Sequence, residues 1–348
     1  MLKKTVFIAS LIVALLLTAC STQADTDGLL DEAANPAEPT ETIVVYSGRN
    51  ENFIKPFFDE FEAQSGIKVE ARFGDSAELA AQLLEEGDNS PADVFLSQDA
   101  GAIGAIAAAG LLQKLNTESY ASVPSQFADP AGFWTGITGR ARVIAYDTEL
   151  IAAQDVPVKI DDLLQPQWRG LIGIAPTNAS FQSFITAMRQ VRGEAATLEW
   201  LKGLAANEPV LYEKNSQMIE AIDAKVIGLS LTNHYYLYEV ADSLGKELIV
   251  QNGFFESGDV GNLLNVSALG ILSTTQKNDE AYKLLEFLLS DEVQKKFVND
   301  TYEYSVLPGI NPPGNMPNLA ELGIPEIRLG DLSDVKRTQE LLIEAGLL

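Results

Sequence analysis

The chain has 348 residues, with 24 lysines and arginines against 49 aspartates and glutamates, which gives a formal net charge of −25 at neutral pH. A chain this acidic lacks the basic patches that neutralise phosphates, which excludes nucleic acid as a partner. One cysteine and one histidine are present, which excludes an internal disulfide, a cysteine-based metal site and most catalytic schemes that pair a nucleophile with a base.

The first residues have the order of a bacterial lipoprotein signal. Two lysines precede an apolar segment that is too short for a comfortable membrane span, and the segment ends at Leu17-Thr18-Ala19-Cys20. This resemblance implies that residues 1–19 are removed and that Cys20 carries lipid. Residues 20–41 are rich in Ala, Asp, Glu, Pro and Thr, a composition typical of a flexible tether. We therefore expect an extracytoplasmic protein that contacts the membrane only through its lipid anchor.

The folded part begins near Thr42 with strands that alternate with helices. Residue patterns predict strands at 43–46, 67–71 and 92–96 and helices at 53–63, 76–86 and 100–109. Alternation of this kind predicts an α/β fold with a parallel sheet and helices on its faces. Ligands of such sheets bind at the carboxyl ends of the strands, so the loops 47–51 and 97–99 are candidate binding loops.

The next strands lead into a polar turn. Strands are predicted at 142–146 and 171–175, and the second runs into Thr177-Asn178-Ala179-Ser180 before a helix at 181–190. Side chains of this turn can cap the helix, and the free amides at a helix start favour an anion. Capping alone would also explain these residues.

The run Asn233-His234-Tyr235-Tyr236 follows a strand predicted at 227–231. Hard, highly charged cations prefer oxygen ligands, and a phenol with a pKa of about 10 ionises at neutral pH when a strongly positive partner compensates it. The alternative is a pair of aromatic side chains that pack into the core. The remaining elements are helices at 195–204, 216–223, 279–289 and 291–299, a strand at 264–272 and a turn-rich stretch at 308–317.

Taken in order, these motifs resemble those of the ferric-iron substrate-binding proteins of ABC transporters, the bacterial periplasmic transferrins. The resemblance runs from Thr42 to about Gly309 and rests on these motifs: Tyr46-Ser47-Gly48-Arg49-Asn50, Ala92-Asp93-Val94-Phe95, Gly139-Arg140-Ala141-Arg142-Val143, Ala175-Pro176-Thr177-Asn178-Ala179-Ser180-Phe181, Tyr212-Glu213-Lys214-Asn215, Asn233-His234-Tyr235-Tyr236, Asn265-Val266-Ser267 and Tyr302-Glu303-Tyr304.

The resemblance implies a two-lobed, venus-flytrap fold of the periplasmic binding protein type II class, with two crossover strands as the hinge. We expect lobe 1 to comprise residues 42–139 and 266–316, lobe 2 to comprise 140–265, and residues 317–348 to form a C-terminal helical extension.

The resemblance also implies a ligand set. Tyr235 and Tyr236 are expected to hold Fe³⁺ between the lobes, with carbonate or phosphate as a synergistic anion. The expected anion contacts are Thr177, Asn178, Ala179, Ser180, Asn215 and Asn233. Arg140 and Arg142 share one face of a strand. If that face lines the cleft, the guanidinium group of one of them can bind the anion through two parallel hydrogen bonds, and we assign Arg142 to this role.

The sequence departs from the better-known family pattern in the first lobe. That pattern has a histidine in the first loop and a glutamate after the third strand, where this chain has Asn50 or Glu51 and Gln98. Glu51 and Asp99 are the carboxylate candidates for the missing ligand, and we assign Glu51; further anions or waters are the alternative.

We therefore predict a monomeric, non-enzymatic receptor that captures ferric iron and delivers it to an ABC permease. The alternative is a binding protein of the same fold for an oxyanion, a polyamine or thiamine. Such sites use hydroxyl and amide donors, boxes of carboxylates and aromatics, or stacking, and do not need two phenolates.

Overall fold

The computed structural model describes residues 41–312, 314 and 316–348. The predicted signal peptide, the lipidation site Cys20 and all of the predicted tether except its last residue lie outside this part of the chain. That last residue, Glu41, is the first residue of a strand and not part of a tether. Among the described residues, no helix has both the length and the apolar character needed to cross a bilayer.

The first elements alternate between strand and helix as the sequence predicts. They are β1 (Glu41–Ser47), α1 (Glu51–Ser65), β2 (Ile67–Phe73), α2 (Ser76–Glu86), β3 (Val94–Ser97) and α3 (Ala100–Ala108). Strands β2, β1 and β3 lie side by side and are parallel. One face of α1 buries Ile54, Phe57, Phe58 and Phe61, because apolar residues at helical spacing form a stripe that packs on the sheet.

The middle of the chain adds a second group of elements. They are β4 (Thr135–Asp147), β5 (Ile172–Ile174), α4 (Ala179–Arg192), α5 (Glu194–Ala206), β6 (Val210–Leu211), α6 (Asn215–Asp223), β7 (Leu229–Asn233), α7 (Tyr236–Leu244) and β8 (Val250–Gly253). The chain then returns to the first group through β9 (Leu264–Ile271), α8 (Asn278–Leu288), α9 (Asp291–Thr301) and β10 (Tyr304–Ser305).

Strand β4 joins the two groups into one mixed sheet with the order β2-β1-β3-β9-β4-β7-β5-β6. Its first part pairs antiparallel with β9, and its second part, from Arg142, pairs antiparallel with β7. The parallel pairing expected from the sequence therefore holds at both ends of the sheet but not at its centre. All thirteen residues of β4 are buried, and a Cβ atom on Gly139 would lie 2.9 Å from the Leu264 side chain, so a larger residue here would require the Leu264 side chain of β9 to move.

The C-terminal segment is helical only in part. It contains short 3₁₀ turns and one helix, α10 (Val335–Glu344). The turn at 329–333 packs on α3, while α10 packs on α4 and α5. A hydrogen bond of 2.7 Å joins the hydroxyls of Thr186 and Thr338. This segment therefore contacts helices on both sides of the sheet centre.

Candidate metal and anion site

Tyr235 and Tyr236 lie in the short turn between β7 and α7. Strand β7 ends at Asn233, Tyr235 is the cap residue, and α7 begins at Tyr236. The two rings stack with centroids 4.3 Å apart and an interplanar angle of 30°. Tyr235 is buried and Tyr236 is half-buried. A strand would send neighbouring side chains to opposite faces, so this turn is what brings both phenols to one place.

His234 anchors the turn, and its ring lies edge-on to the ring of Tyr235 with centroids 5.9 Å apart. Its Nδ1 accepts the N–H of Ala141 at 3.1 Å, and its Nε2 donates to the Tyr302 carbonyl at 2.8 Å. Burial lowers the pKa of His234 to about 4, against the opposing effect of these backbone contacts. The imidazole is therefore neutral and holds the end of β7 to β4, and both of its nitrogens are already used.

An open pocket of about 500 Å³ contains the phenols and the predicted carboxylate ligand. Glu51 is exposed at the start of α1, whose cap Asn50 accepts the N–H of Asn52 at 2.9 Å. Glu51, Tyr235, Tyr236, Glu239 and Gln98 all line this pocket. Within the described ranges, no three His, Cys, Asp or Glu side chains are grouped closely enough to hold a metal. A metal in this pocket would therefore need phenolic oxygens.

The phenol of Tyr235 is protonated unless a cation compensates it. Burial raises the pKa of Tyr235 well above 10, and the charge of Tyr236 raises it further, while Arg140 acts in the opposite direction. A bound trivalent cation reverses this effect, because it stabilises the phenolate directly.

A smaller cavity of about 40 Å³ lies beside the open pocket, and Gln98 lines both. A water needs about 10–15 Å³ of such space, so the cavity can hold a few waters or one small oxyanion. Four of the predicted anion contacts line it, namely Arg142, Ala179, Ser180 and Asn233; the remaining lining residues are Gln98, Asp99, Arg140, Ser183, Leu263 and Asn265.

Asn178 organises the start of α4 on the wall of this cavity. Its Oδ1 accepts the N–H of Ser180 at 3.0 Å, the hydroxyl of Ser180 at 2.6 Å and the Nδ2 of Asn215 at 3.1 Å. Asn178 and Asn215 are thus held behind Ser180 and do not line the cavity themselves. Thr177 is exposed and also lies outside the cavity lining.

Arg142 supplies a buried positive charge next to the cavity. Its Nη1 donates to Ser180 Oγ and to Asn233 Oδ1, each at 3.3 Å, and its Nη2 donates to the Leu231 carbonyl at 2.8 Å. Its Nε has no partner among the described residues. Burial lowers the pKa of Arg142 to about 9, so the guanidinium is still charged at neutral pH. A buried cation with unused donor capacity attracts an anion.

The sequence did not predict a buried ion cluster, one member of which, Arg49, lines the open pocket. Glu303 accepts two hydrogen bonds from Arg49, at 2.8 and 2.7 Å, and one from Thr138 at 2.7 Å. Arg140 lies 4.0 Å from Glu303 and donates to the Gln98 carbonyl. The cluster ties the loop after β1 and the loop after β3 to β4. Glu303 stands in one of the quoted motifs, but it is 254 residues from Arg49 in the chain, and no local pattern pairs them.

The fold and the paired cavities define a solute-binding protein. The family model described as "Bacterial extracellular solute-binding protein" matches residues 89–321, and the chain belongs to this family.

Individual relatives narrow the comparison. The chain is 32% identical over 324 residues to the major ferric iron-binding protein of Neisseria meningitidis serogroup A, covering 92% of this chain and 97% of the relative. The iron-bound crystal structure of HitA from Pseudomonas aeruginosa superposes with a TM-score of 0.81 at 32% identity, covering 88% of this chain and 99% of HitA. The structure of a Trichodesmium protein (IdiA, FutA) in complex with iron and citrate gives a TM-score of 0.76 at 27% identity, covering 88% of this chain and 100% of the Trichodesmium chain. The predicted resemblance and the two-lobed type II α/β fold are thereby confirmed.

Proposed function

We propose that the chain binds ferric iron together with a small synergistic anion and delivers the metal to an ABC permease. The observation that carries this proposal is the stacked pair Tyr235 and Tyr236, which lies beside a cavity lined by Arg142 and by the start of α4. The names of the relatives support it, since they are ferric iron-binding proteins. The same relatives are binding proteins, which supports a non-enzymatic role.

Three side chains are proposed as metal ligands. Tyr235 and Tyr236 ligate as phenolates and Glu51 ligates as a carboxylate, so their three negative charges match a trivalent ion. Oxygen donors suit a hard cation. All three residues line the same pocket, which supports the assignment.

The synergistic anion, carbonate or phosphate, is proposed to occupy the smaller cavity. Arg142, Ser180 and Asn233 contact it with side chains, and Ala179 offers its backbone N–H. Asn178 and Asn215 act from behind by fixing Ser180, and Thr177 lies at the rim. The structure of a relative with iron and citrate supports pairing of the metal with an exogenous anion in this fold.

The proposed mechanism uses closure of two lobes around the metal. Lobe 1 comprises 42–139 and 266–316 and lobe 2 comprises 140–265, with β4 and β9 as the crossover strands. Closure would exclude water from the phenolates and strengthen their interaction with the metal. The order of charged, apolar and small residues before Cys20 supports a protein that a lipid on Cys20 anchors outside the cytoplasm, and the protein is proposed to act as a monomer.

Visible absorbance tests the proposal. The chain carrying Cys20→Ser, which prevents lipidation, would be titrated with a ferric chelate in bicarbonate or phosphate buffer. We expect a tyrosinate-to-iron charge-transfer band that saturates at one metal per chain and is lost in Tyr235→Phe and Tyr236→Phe. Tyr238→Phe is the matched control, because Tyr238 stacks on Tyr302 with ring centroids 4.7 Å apart and does not line the pocket. No band with any anion, or equal bands in all variants, would refute the proposal and favour an oxyanion or organic solute.

A further inference from the structure

One residue of the smaller cavity has the wrong charge for an ordinary anion site. Asp99 lines the cavity together with Arg140 and Arg142. The guanidinium groups donate hydrogen bonds only, and the hydroxyl and amide side chains of the wall can donate or accept. An ionised carboxylate can only accept. A fully deprotonated anion also only accepts hydrogen bonds, so no hydrogen bond could form between such an anion and an ionised Asp99.

Asp99 is fixed in place as the cap of α3. Its Oδ1 accepts the N–H of Ala102 at 2.9 Å. A carboxylate has about four lone-pair sites, so this contact uses only part of its capacity to accept. Burial raises the pKa of Asp99, while the Ala102 N–H and the charge of Arg140 oppose the shift. Arg140 is thus the cation that opposes protonation of this carboxylate.

The charges around the cavity favour a singly charged ligand. Three buried arginines, Arg49, Arg140 and Arg142, face two carboxylates, Glu303 and Asp99, which leaves one excess positive charge. A dianion would bring a second negative charge next to the half-buried carboxylate of Asp99, and like charges that share a site with little water are disfavoured.

We propose that Asp99 determines which anion the site accepts by receiving a hydrogen bond from the anion itself. The favoured ligands are singly charged hydrogen oxyanions that keep an O–H, such as hydrogencarbonate or dihydrogen phosphate. Sulfate resembles phosphate in shape and carries no proton at neutral pH, and it is rejected. The inference deepens the proposed function and rests on it for the location of the anion.

Calorimetry on the iron-free chain tests the selection directly. Inorganic phosphate, bicarbonate and sulfate would be titrated separately at pH 7 in carbonate-free buffer, which also separates the two favoured anions. We expect wild type to prefer phosphate or bicarbonate over sulfate by about 100-fold or more, because the half-buried Asp99 carboxylate would face an anion that offers it no hydrogen-bond donor.

Asp99→Asn is the informative variant. Asparagine caps a helix as well as aspartate does, so α3 keeps its cap, but the amide can donate to sulfate. We expect the preference to shrink at least tenfold, chiefly through tighter sulfate binding. Asp129→Asn is the matched control, because Asp129 also accepts a backbone N–H, that of Phe133 at 3.0 Å, and does not line the cavity. Equal affinity of wild type for phosphate and sulfate, or an unchanged preference in Asp99→Asn, overturns the inference.

The ferric titration separates this inference from the proposed function. A charge-transfer band that forms equally well with sulfate and with phosphate supports iron binding and overturns the role of Asp99. Selective anion binding without any band supports the role of Asp99 and overturns iron binding. Absence of both the band and anion binding overturns both.

Discussion

The pH dependence of iron affinity follows from the protonated state of the buried phenol. The pKa of Tyr235 lies well above 10 because the ring is buried, so ligation must release its proton anywhere between pH 5.5 and 8. Each phenol that ionises on binding changes the apparent association constant tenfold per pH unit, or about 1.4 kcal/mol. Ligation by Tyr235 should therefore contribute about a tenfold fall in affinity for each unit of acidification. In Tyr235→Phe this contribution per pH unit should be absent.

The assay is a competition between the protein and a coloured chelator of known protonation, read from the absorbance of the chelator–iron complex across this pH range. Protons released by the anion are common to wild type and variant, so the difference between their slopes isolates the phenol. The number of protons released on iron binding, measured with an indicator dye in weak buffer, should be lower in Tyr235→Phe than in wild type by one proton per iron. Tyr238→Phe should keep the wild-type slope. The reasoning is wrong if Tyr235→Phe binds iron with that same slope.

Three further predictions concern buried charges. The pKa of His234 is lowered to about 4 against about 6.5 in the unfolded chain, so the unfolded state binds more protons between these values; the free energy of unfolding should fall by about 3 kcal/mol as pH drops through this interval. Urea unfolding of His234→Gln should show a flatter profile, and an unchanged profile would contradict the assignment. Glu303→Gln should lower the free energy of unfolding by about 3–5 kcal/mol, because it removes the buried partner of Arg49. The same change at Glu208, which forms an exposed ion pair, should have no measurable effect, and equal effects at both sites would count against the cluster. Arg142→Lys should weaken phosphate binding about tenfold in calorimetry by removing the planar fork; wild-type affinity would exclude Arg142 as the anion contact.

Local patterns predicted most of the helices and strands. The helix predicted at 76–86 coincides with α2 (Ser76–Glu86), since its cap Asp75 and the glycine after it mark both ends in the sequence. The first half of β4 was missed because Gly136 and Gly139 have low strand propensity. A Cβ atom on Gly136 would lie 2.7 Å from the Phe127 carbonyl oxygen, and one on Gly139 would lie 2.9 Å from the Leu264 side chain, so the use of glycine here depends on tertiary contacts. The short strands β8 and β10 were missed for the same reason, because pairing with β4 defines them.

The candidate site shows the same division between local and distant information. The adjacent phenols and the polar turn at 177–180 are visible as short motifs. The ion cluster of Arg49, Glu303 and Arg140 is not, since three separate chain segments supply it. Asp99 was singled out in the sequence as a possible metal ligand. Its position in the smaller cavity depends on packing of α3 against β9, the neighbour of β4 in the sheet, which residue patterns do not encode.

The central position of β9 has a consequence for how the chain is made. Strand β3 cannot complete its pairing until β9 has been synthesised. The Ala100 N–H likewise has its acceptor, Asn265 Oδ1, 165 residues later in the chain. At about 5–20 residues per second, synthesis of that interval takes roughly ten to thirty seconds. During this time the first three strands present an unpaired edge at β3. The nascent chain therefore stays open over most of its length, a state that suits export before folding and that also exposes it to aggregation.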